Sequence, residues 1–362
     1  MATEEVNWEL MKEWDLKYCL HQVSTAKEIR RAIRCVTKVD EHFIYYSDGT
    51  RVLDMMSGNY SCGTGLRNPR IAAAIKEACD DFGFAPEGGY TTRYKARASK
   101  LLMEDILGPD KWAGACRWTG SGSEAVELAL QVARLFTNRP NIVTREWDYH
   151  GWTPGADSCT RLRYSAHNLA SGSEPRWVRD IPGKPGGYYF VPGHNCYRCS
   201  LGHRYPDCKM SNGRLPCINV IETMVRAIGV ETVAAIITEV TYGSAAIEPA
   251  AEYCTQLRQL TKDLGILWID DEVLLGIGRL GAWFAYQVHG HGATPDIMTI
   301  GKNVASSQMP VGGIVVSKEI ADFFGQNRWN TGGTFFAHPL VMAAVEANLD
   351  LMIEDKVVEK AA

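Results

Sequence analysis

Two acids and one amine are the chemistry-bearing residues from which the sequence is read. Ile266-Leu-Trp-Ile-Asp-Asp-Glu-Val273 is an apolar run that ends in carboxylates, and Asp296-Ile-Met-Thr-Ile-Gly301 is a second apolar run that leads into a single lysine, Lys302. Both have the length and side chains of buried strands. In an open α/β sheet, ligands bind at the carboxyl edge of the strands, so Asp271 and Lys302 can face one crevice. An amine there can form a Schiff base with a carbonyl, and an anion there can keep a heterocyclic nitrogen protonated. Those are the two needs of pyridoxal 5′-phosphate (PLP). Asp270 and Asp271 are neighbours and point to opposite faces of a strand, so only one reaches the crevice. A carboxylate buried in an apolar sheet is costly without a positive partner, and a protonated ring nitrogen is one. A helix-capping or solvated Asp is the plain alternative. Lys302 has few charged neighbours in the sequence, and desolvation would lower its pKa toward a useful nucleophile. Lys262 and Lys318 read as surface lysines.

Three loops supply the remaining polar groups. Thr119-Gly-Ser-Gly-Ser-Glu-Ala125 joins a strand to a helix. Gly122 lets the backbone approach an anion, the first helical N–H groups point at it, and Ser123 adds a hydroxyl. The same residues fit a glycine-rich turn with Ser123 as helix N-cap, and also the dinucleotide pattern G-x-G-x-x-A. In Trp147-Asp-Tyr-His-Gly151, Tyr149 can stack on a flat heterocycle, and His150 is expected to orient a neighbour rather than to react. Thr331-Gly-Gly-Thr-Phe-Phe-Ala-His-Pro339 precedes a helix, where Thr334 can bind an anion or simply sit in a glycine turn. Cys196, Cys199, Cys208 and Cys217 have partly zinc-like spacing, with His194 and His203 near. Only one C-x-x-C is present, so buried thiols and no metal are expected.

The elements that must hold these loops alternate. Strands are expected at 43–46 and 51–55 about an Asp-Gly turn, then at 113–118, 141–144, 233–239, 266–271, 297–301 and 313–317. Helices are expected from Pro69, over 95–107, over 124–136 and over 249–264. Residues 151–217, rich in Gly, Pro, Ser, Arg and Cys, read as a long excursion without periodicity. Continuous β-branched runs argue for a mostly parallel sheet with helices on both faces, hence an α/β fold. A chain of 362 residues suits one large domain with a smaller one. Its 46% apolar and 22% charged residues are ordinary for a globular enzyme, and a net charge of −4 points away from nucleic acid. No apolar run reaches membrane-spanning length, and the start Met-Ala-Thr-Glu-Glu-Val-Asn-Trp lacks a secretory layout, so a cytoplasmic location is expected. The eleven cysteines are expected to be mostly reduced thiols.

Over residues 40–360 the chain resembles the class III, ω-amino acid type, PLP-dependent aminotransferases. The resemblance rests on Gly120-Ser-Gly-Ser-Glu-Ala125, Tyr149-His-Gly151, Asp271-Glu-Val273, Gly276-Ile-Gly-Arg-Leu-Gly281, Lys302 after Pro295-Asp-Ile-Met-Thr-Ile-Gly301, and Thr334 in Gly-Thr-Phe-Phe-Ala-His-Pro. It implies PLP fold type I, with a large PLP-binding domain over 59–315 that carries 151–217 as an insert. Residues 1–58 and 316–362 would belong to a smaller α+β domain that is short at its C-terminal end. It implies that Asp271 pairs with the pyridine nitrogen and that Val273 and Tyr149 take opposite ring faces. Gly122 and Ser123 would hold the phosphate, with Thr334 reaching across a homodimer interface. Lys302 would form the Schiff base and then move the proton between substrate and coenzyme. Tyr60 in Ser57-Gly-Asn-Tyr60 stands where relatives place a substrate-pocket aromatic.

The insert Cys196-Tyr-Arg-Cys199 to Cys217 is similar to a segment of taurine–pyruvate and ω-amine–pyruvate members. The implied reaction moves an amino group from taurine, β-alanine or a similar amine to pyruvate or another 2-oxo acid. An aminomutase, epimerase or decarboxylase on the same fold, a Rossmann dehydrogenase and an inactive homologue are the alternatives. The chain departs from the family pattern at Leu66-Arg-Asn-Pro69, at Val240, at Ser244 (where ornithine- and GABA-type members carry a gating glutamate) and at Leu274 in place of a glutamine. Family members also run past this length, and the carboxylate-binding arginine found there falls beyond Ala362.

Overall fold

The architecture is that of a computed structural model, which describes residues 6–21, 24–86, 88–161 and 185–362. The middle of the expected excursion, 162–184, and the first five residues lie outside the described residues. A small antiparallel sheet comes first: β1 (Val36–Val39), β2 (Phe43–Tyr46) and β3 (Arg51–Leu53), with β2 and β3 joined through the expected Asp48-Gly49 turn. Seven strands then build the central sheet: β4 (Ala113–Thr119), β5 (Asn141–Arg145), β6 (Tyr188–Val191), β7 (Val233–Thr238), β8 (Leu267–Asp271), β9 (Ile297–Gly301) and β10 (Gly312–Ser317). Their order is β4-β10-β9-β8-β7-β5-β6. Pairings from β9 to β6 are parallel, and β10 runs antiparallel to both β9 and β4. The mostly parallel α/β reading therefore holds.

Alternation along each strand assigns one residue to each face of the sheet. Ile142, Ile237, Ile269, Ile297 and Ile314 pack toward the helix Gly122–Thr137, together with Val126, Leu130 and Val132. Their neighbours Val143, Ile236, Trp268, Met298 and Val315 pack on the other side, against the helices Tyr253–Leu264 and Pro339–Glu354 among others. Burial on both faces explains why these strands read as unbroken apolar runs. The helix Gly122–Thr137 ends at Asn138 in the left-handed conformation, and Tyr253–Leu264 ends at Gly265 in the same way.

The stretch read as an irregular excursion contributes more than expected. Pro154–Cys159 is a short helix, and Tyr188-Tyr-Phe-Val191 adds β6 as the edge strand on β5. Four aromatic and β-branched residues are strong strand formers, but Gly186-Gly187 and the prolines around them mask the signal. The helix expected over 95–107 is present as Arg93–Lys100 continued by a wider π-type turn over Leu101–Ile106. Residues beyond 316 pack on the same unit. Ile320 of helix Lys318–Gln326 joins the core on one face, and Val341, Met342, Val345 and Leu349 of helix Pro339–Glu354 join it on the other.

Candidate active site

β8 and β9 lie side by side in parallel register, with Asp271 opposite Thr299. Lys302 follows directly on β9 and turns away at φ 42°, in the left-handed region, as the chain enters a 3-10 turn. The two strand tips thus deliver the acid and the amine to one cavity of about 420 Å³. Its walls include Gly120, Ser121, Gly122 and Ser123 from the helix-start loop, then Tyr149, His150, Gly151, Glu239, Asp271, Val273, Leu274 and Lys302. Six of the eight residues named from the sequence therefore meet here: Gly122, Ser123, Tyr149, Asp271, Val273 and Lys302.

Asp271 is buried and tightly held. Its Oδ1 accepts from the Val273 backbone N–H at 3.1 Å and from the Thr299 hydroxyl at 2.7 Å, and its Oδ2 meets His150 Nδ1 at 2.6 Å. Asp270 lies on the Trp268 face, with both carboxyl oxygens buried and without hydrogen-bond partners. Burial and then the nearby Glu272 push its pKa well above the ordinary carboxyl value, and it points into the core, away from the cavity. Opposite pointing of the two aspartates was legible from strand geometry, and the structure assigns the cavity to Asp271.

Lys302 loses its proton more easily than a free lysine. Burial comes first, the Arg279 guanidinium adds to it, and Asp271 and Glu239 oppose it. Its surroundings are thus more charged than the local sequence implied, because the sheet brings in groups from distant strands. His150 shows the reverse balance. Burial pulls its pKa down, but Asp148 and Asp271 on either side raise it to about 10. The sequence reading gave it an orienting part and left it out of the site, whereas the structure puts it directly behind Asp271. Glu239, at the tip of β7, accepts from the Tyr149 backbone N–H at 3.2 Å. Burial, with Asp148 and Asp271 adding to it, pushes Glu239 up to about 8.

The helix-start loop that lines the same cavity suits an anion. Ser121, not Ser123, is the N-cap of the helix Gly122–Thr137, with its hydroxyl accepting from Glu124 N–H at 3.3 Å. The amides of Gly122 and Ser123 therefore open the helix without carbonyls behind them. A Cβ on Gly122 would come within 2.7 Å of Val273 Cγ1, so only glycine lets the loop and Val273 close on one another. The Ser123 hydroxyl accepts from the Trp152 N–H at 3.3 Å. One cavity thus brings together an acid, an amine, an aromatic and a valine, and open amides with two hydroxyls, the kinds of group that can hold an anionic heterocycle.

Two named residues stand outside this set. Tyr60 does not line the cavity: it ends a left-handed turn over Ser57–Tyr60, and its carbonyl accepts from Arg279. Thr334 sits exposed in the turn before helix Pro339–Glu354 and does not line the cavity either. Cys196, Cys199, Cys208 and Cys217 line a separate small cavity with His194 and His203, yet among the described residues no group of Cys, His, Asp or Glu is placed to hold a metal. All eleven cysteines are free thiols.

The chain matches the family Aminotransferase class-III over residues 24–362. It is 27% identical to the putrescine–pyruvate aminotransferase of Pseudomonas aeruginosa, over 91% of this chain and 70% of that one. Its structure is similar to an S-selective transaminase from Bacillus megaterium, with TM-score 0.90 and 44% identity, covering 99% of this chain and 75% of that one. A taurine:2-oxoglutarate aminotransferase from Bifidobacterium kashiwanohense matches with TM-score 0.84 and 29% identity, over 98% and 74% of the two chains. Strand tips, helix-start loop and family match agree, and the chain belongs to the class III aminotransferases, a PLP-dependent family of fold type I.

Proposed function

We propose that this chain binds PLP in the cavity between β8, β9 and the start of helix Gly122–Thr137, and transfers an amino group from a primary or ω-amino compound to pyruvate or a similar 2-oxo acid. The observation that carries this is the meeting of Lys302 and Asp271 at adjacent strand tips in one cavity with the Gly122-Ser123 amides. The relatives named for putrescine–pyruvate and taurine:2-oxoglutarate exchange support an ω-amine donor and a small oxo-acid acceptor. PLP, when bound, supplies an aldehyde for amine exchange and an electron sink for the substrate's Cα. Asp271 would face the ring nitrogen and keep it protonated, Val273 and Tyr149 would confine the ring, and the amides and hydroxyls at residues 121–123 would take the phosphate. Lys302, with a lowered pKa, would be the amine that holds the coenzyme's aldehyde and the base that would move a proton at the substrate carbon. A homodimer, with Thr334 and the exposed Phe335 turned toward the partner's cavity, completes the reading. Free thiols throughout suit a reducing, cytoplasmic setting, and no helix of the described residues is long and apolar enough to cross a membrane.

The decisive experiment is borohydride reduction of the PLP-loaded protein followed by peptide mapping. Label on Lys302, and loss of both label and turnover in Lys302→Ala with the far-UV circular dichroism unchanged, is the expected result. Label elsewhere, or turnover in that variant, would end the assignment.

A further inference from the structure

Behind the cavity lies a fully buried chain of alternating charge that the reaction as described does not use. Arg145, the last residue of β5, is completely enclosed, and each of its five N–H groups meets an acceptor. Nε donates to Asp148 Oδ2 at 3.0 Å and Nη2 to Asp148 Oδ1 at 2.8 Å. The second Nη2 hydrogen goes to the carbonyl of Glu239, and Nη1 meets His194 Nδ1 at 2.8 Å and the Tyr253 hydroxyl at 3.1 Å. His194 can only accept there. Burial and then Arg145 push its pKa down to about 3, so it stays neutral. Five donors in a planar fork, five acceptors and a stacked Tyr242 ring 4.7 Å away leave Arg145 one geometry.

What this geometry fixes is Asp148. Its carboxylate, with no accessible surface, lies 3.7 Å from His150 Nε2, an ion-pair distance that leaves this buried nitrogen without a hydrogen bond, while His150 Nδ1 lies 2.6 Å from Asp271. An imidazole between two carboxylates serves both only when both nitrogens carry protons. With one proton, Nδ1 would keep it in the 2.6 Å contact with Asp271 and bare Nε2 would face the Asp148 anion, a repulsion that a second proton removes. The charges therefore alternate from Arg145 through Asp148 and His150 to Asp271 at the cavity wall. A neutral Asp148 would break the alternation two residues away from any ligand.

We infer that Arg145 and Asp148, neither of which lines the cavity, are positioning residues that act through His150 to hold Asp271 in its ligand-facing place. Arg145 reaches the cavity a second way, through the Glu239 carbonyl, and so also fixes the strand tip that carries the Glu239 carboxyl. The inference rests on the reading of Asp271 as partner of the PLP ring nitrogen.

The protonation half can be tested in the wild-type protein without PLP. The groups facing His150 are Asp148 and Asp271 directly and Glu239 across the cavity wall, with Arg145 behind Asp148, and the Cys159 thiol and Lys302 near the same acids. Nitrogen-15 NMR of histidine-labelled protein, with the His150 signal assigned by its loss in His150→Gln, should show both ring nitrogens protonated at pH 8. A neutral His150 ring there overturns the proposal. The positioning half is read as the PLP dissociation constant in a double-mutant cycle. Asp148→Asn should weaken PLP about 10–100-fold, in the range for losing an orienting partner, and should add nothing in an Asp271→Asn background. Equal losses in both backgrounds, or no loss in the first, refute it. Since Asp148→Asn strands a buried guanidinium, Arg145→Met with Asp148→Leu provides a second variant without a lone charge, and it should lose the same factor. If the wild type binds no PLP, the functional reading fails. If it binds and the variants match it, only the inference fails.

Discussion

At the scale of single residues, the site works by differences between chemically similar groups. Asp270 and Asp271 are adjacent and identical in type, yet one is buried in the core with its pKa raised and the other is an acceptor with three partners at the cavity. Replacing Asp271 with Asn removes the charge that the proposed function sets against the ring nitrogen, while keeping the shape. The expected result is a fall in kcat/KM of about 10²–10³-fold, the range for losing one aimed electrostatic group, measured in single-turnover assays with an amine donor. Gly122→Ala probes the helix-start loop. The new methyl would sit 2.7 Å from Val273 Cγ1, so either the loop or the valine moves. PLP affinity measured by equilibrium dialysis should drop at least several-fold while the thermal midpoint of the PLP-free protein stays near wild type; unchanged affinity would show that the Gly122–Val273 approach is not needed.

At the scale of elements, β8 carries acids on both of its faces, and this has a pH signature. Glu272 keeps one oxygen on the Tyr286 N–H at 3.1 Å, and its other oxygen has no partner. Burial pushes it up to about 7, and Asp270 beside it is pushed up further. A buried acid whose pKa is raised binds more protons folded than unfolded. Stability therefore falls as pH rises from the unfolded pKa near 4.5 through about 7, and is fullest below that window. Glu272→Gln keeps the acceptor for Tyr286 and removes the titration. Thermal melts between pH 5 and 8 should show a flatter stability profile for the variant than for wild type, and parallel profiles would contradict this assignment.

At the scale of the whole molecule, several large apolar side chains are left exposed. Phe335, next to Thr334, is 68% exposed, Trp152 is 73% and Tyr90 is 68%. Monomeric proteins seldom leave so much large apolar surface bare, and a second copy is the occupant that the proposed function invokes. If Thr334 donates to a phosphate across that interface, Thr334→Ala should weaken PLP about tenfold, near the cost of one charge-assisted hydrogen bond. The dimer itself, followed by sedimentation, should persist. A wild-type protein that stays monomeric at micromolar concentration, yet binds PLP normally, would exclude the shared site.

Much of this was readable from residue order. The apolar runs of β7, β8 and β9 announce buried parallel strands because both of their faces are covered, and the acid and the lysine stand at their ends. The glycine-rich loop before Glu124 announces a helix start because few other patterns free the backbone there. What stayed hidden depended on groups far apart in the chain. Arg145, Asp148 and His150 look like polar residues after a strand, and Glu239 like the end of a buried strand. Only when β5 lies beside β7, and β7 beside β8, do their charges meet behind Asp271. The sequence by itself determined which residues could hold the coenzyme, because short-range patterns place side chains at strand tips. The tertiary structure alone decided that Asp270 turns into the core and that His150, Asp148 and Arg145 line up behind Asp271, because burial and charge pairing exist only once distant strands are packed together.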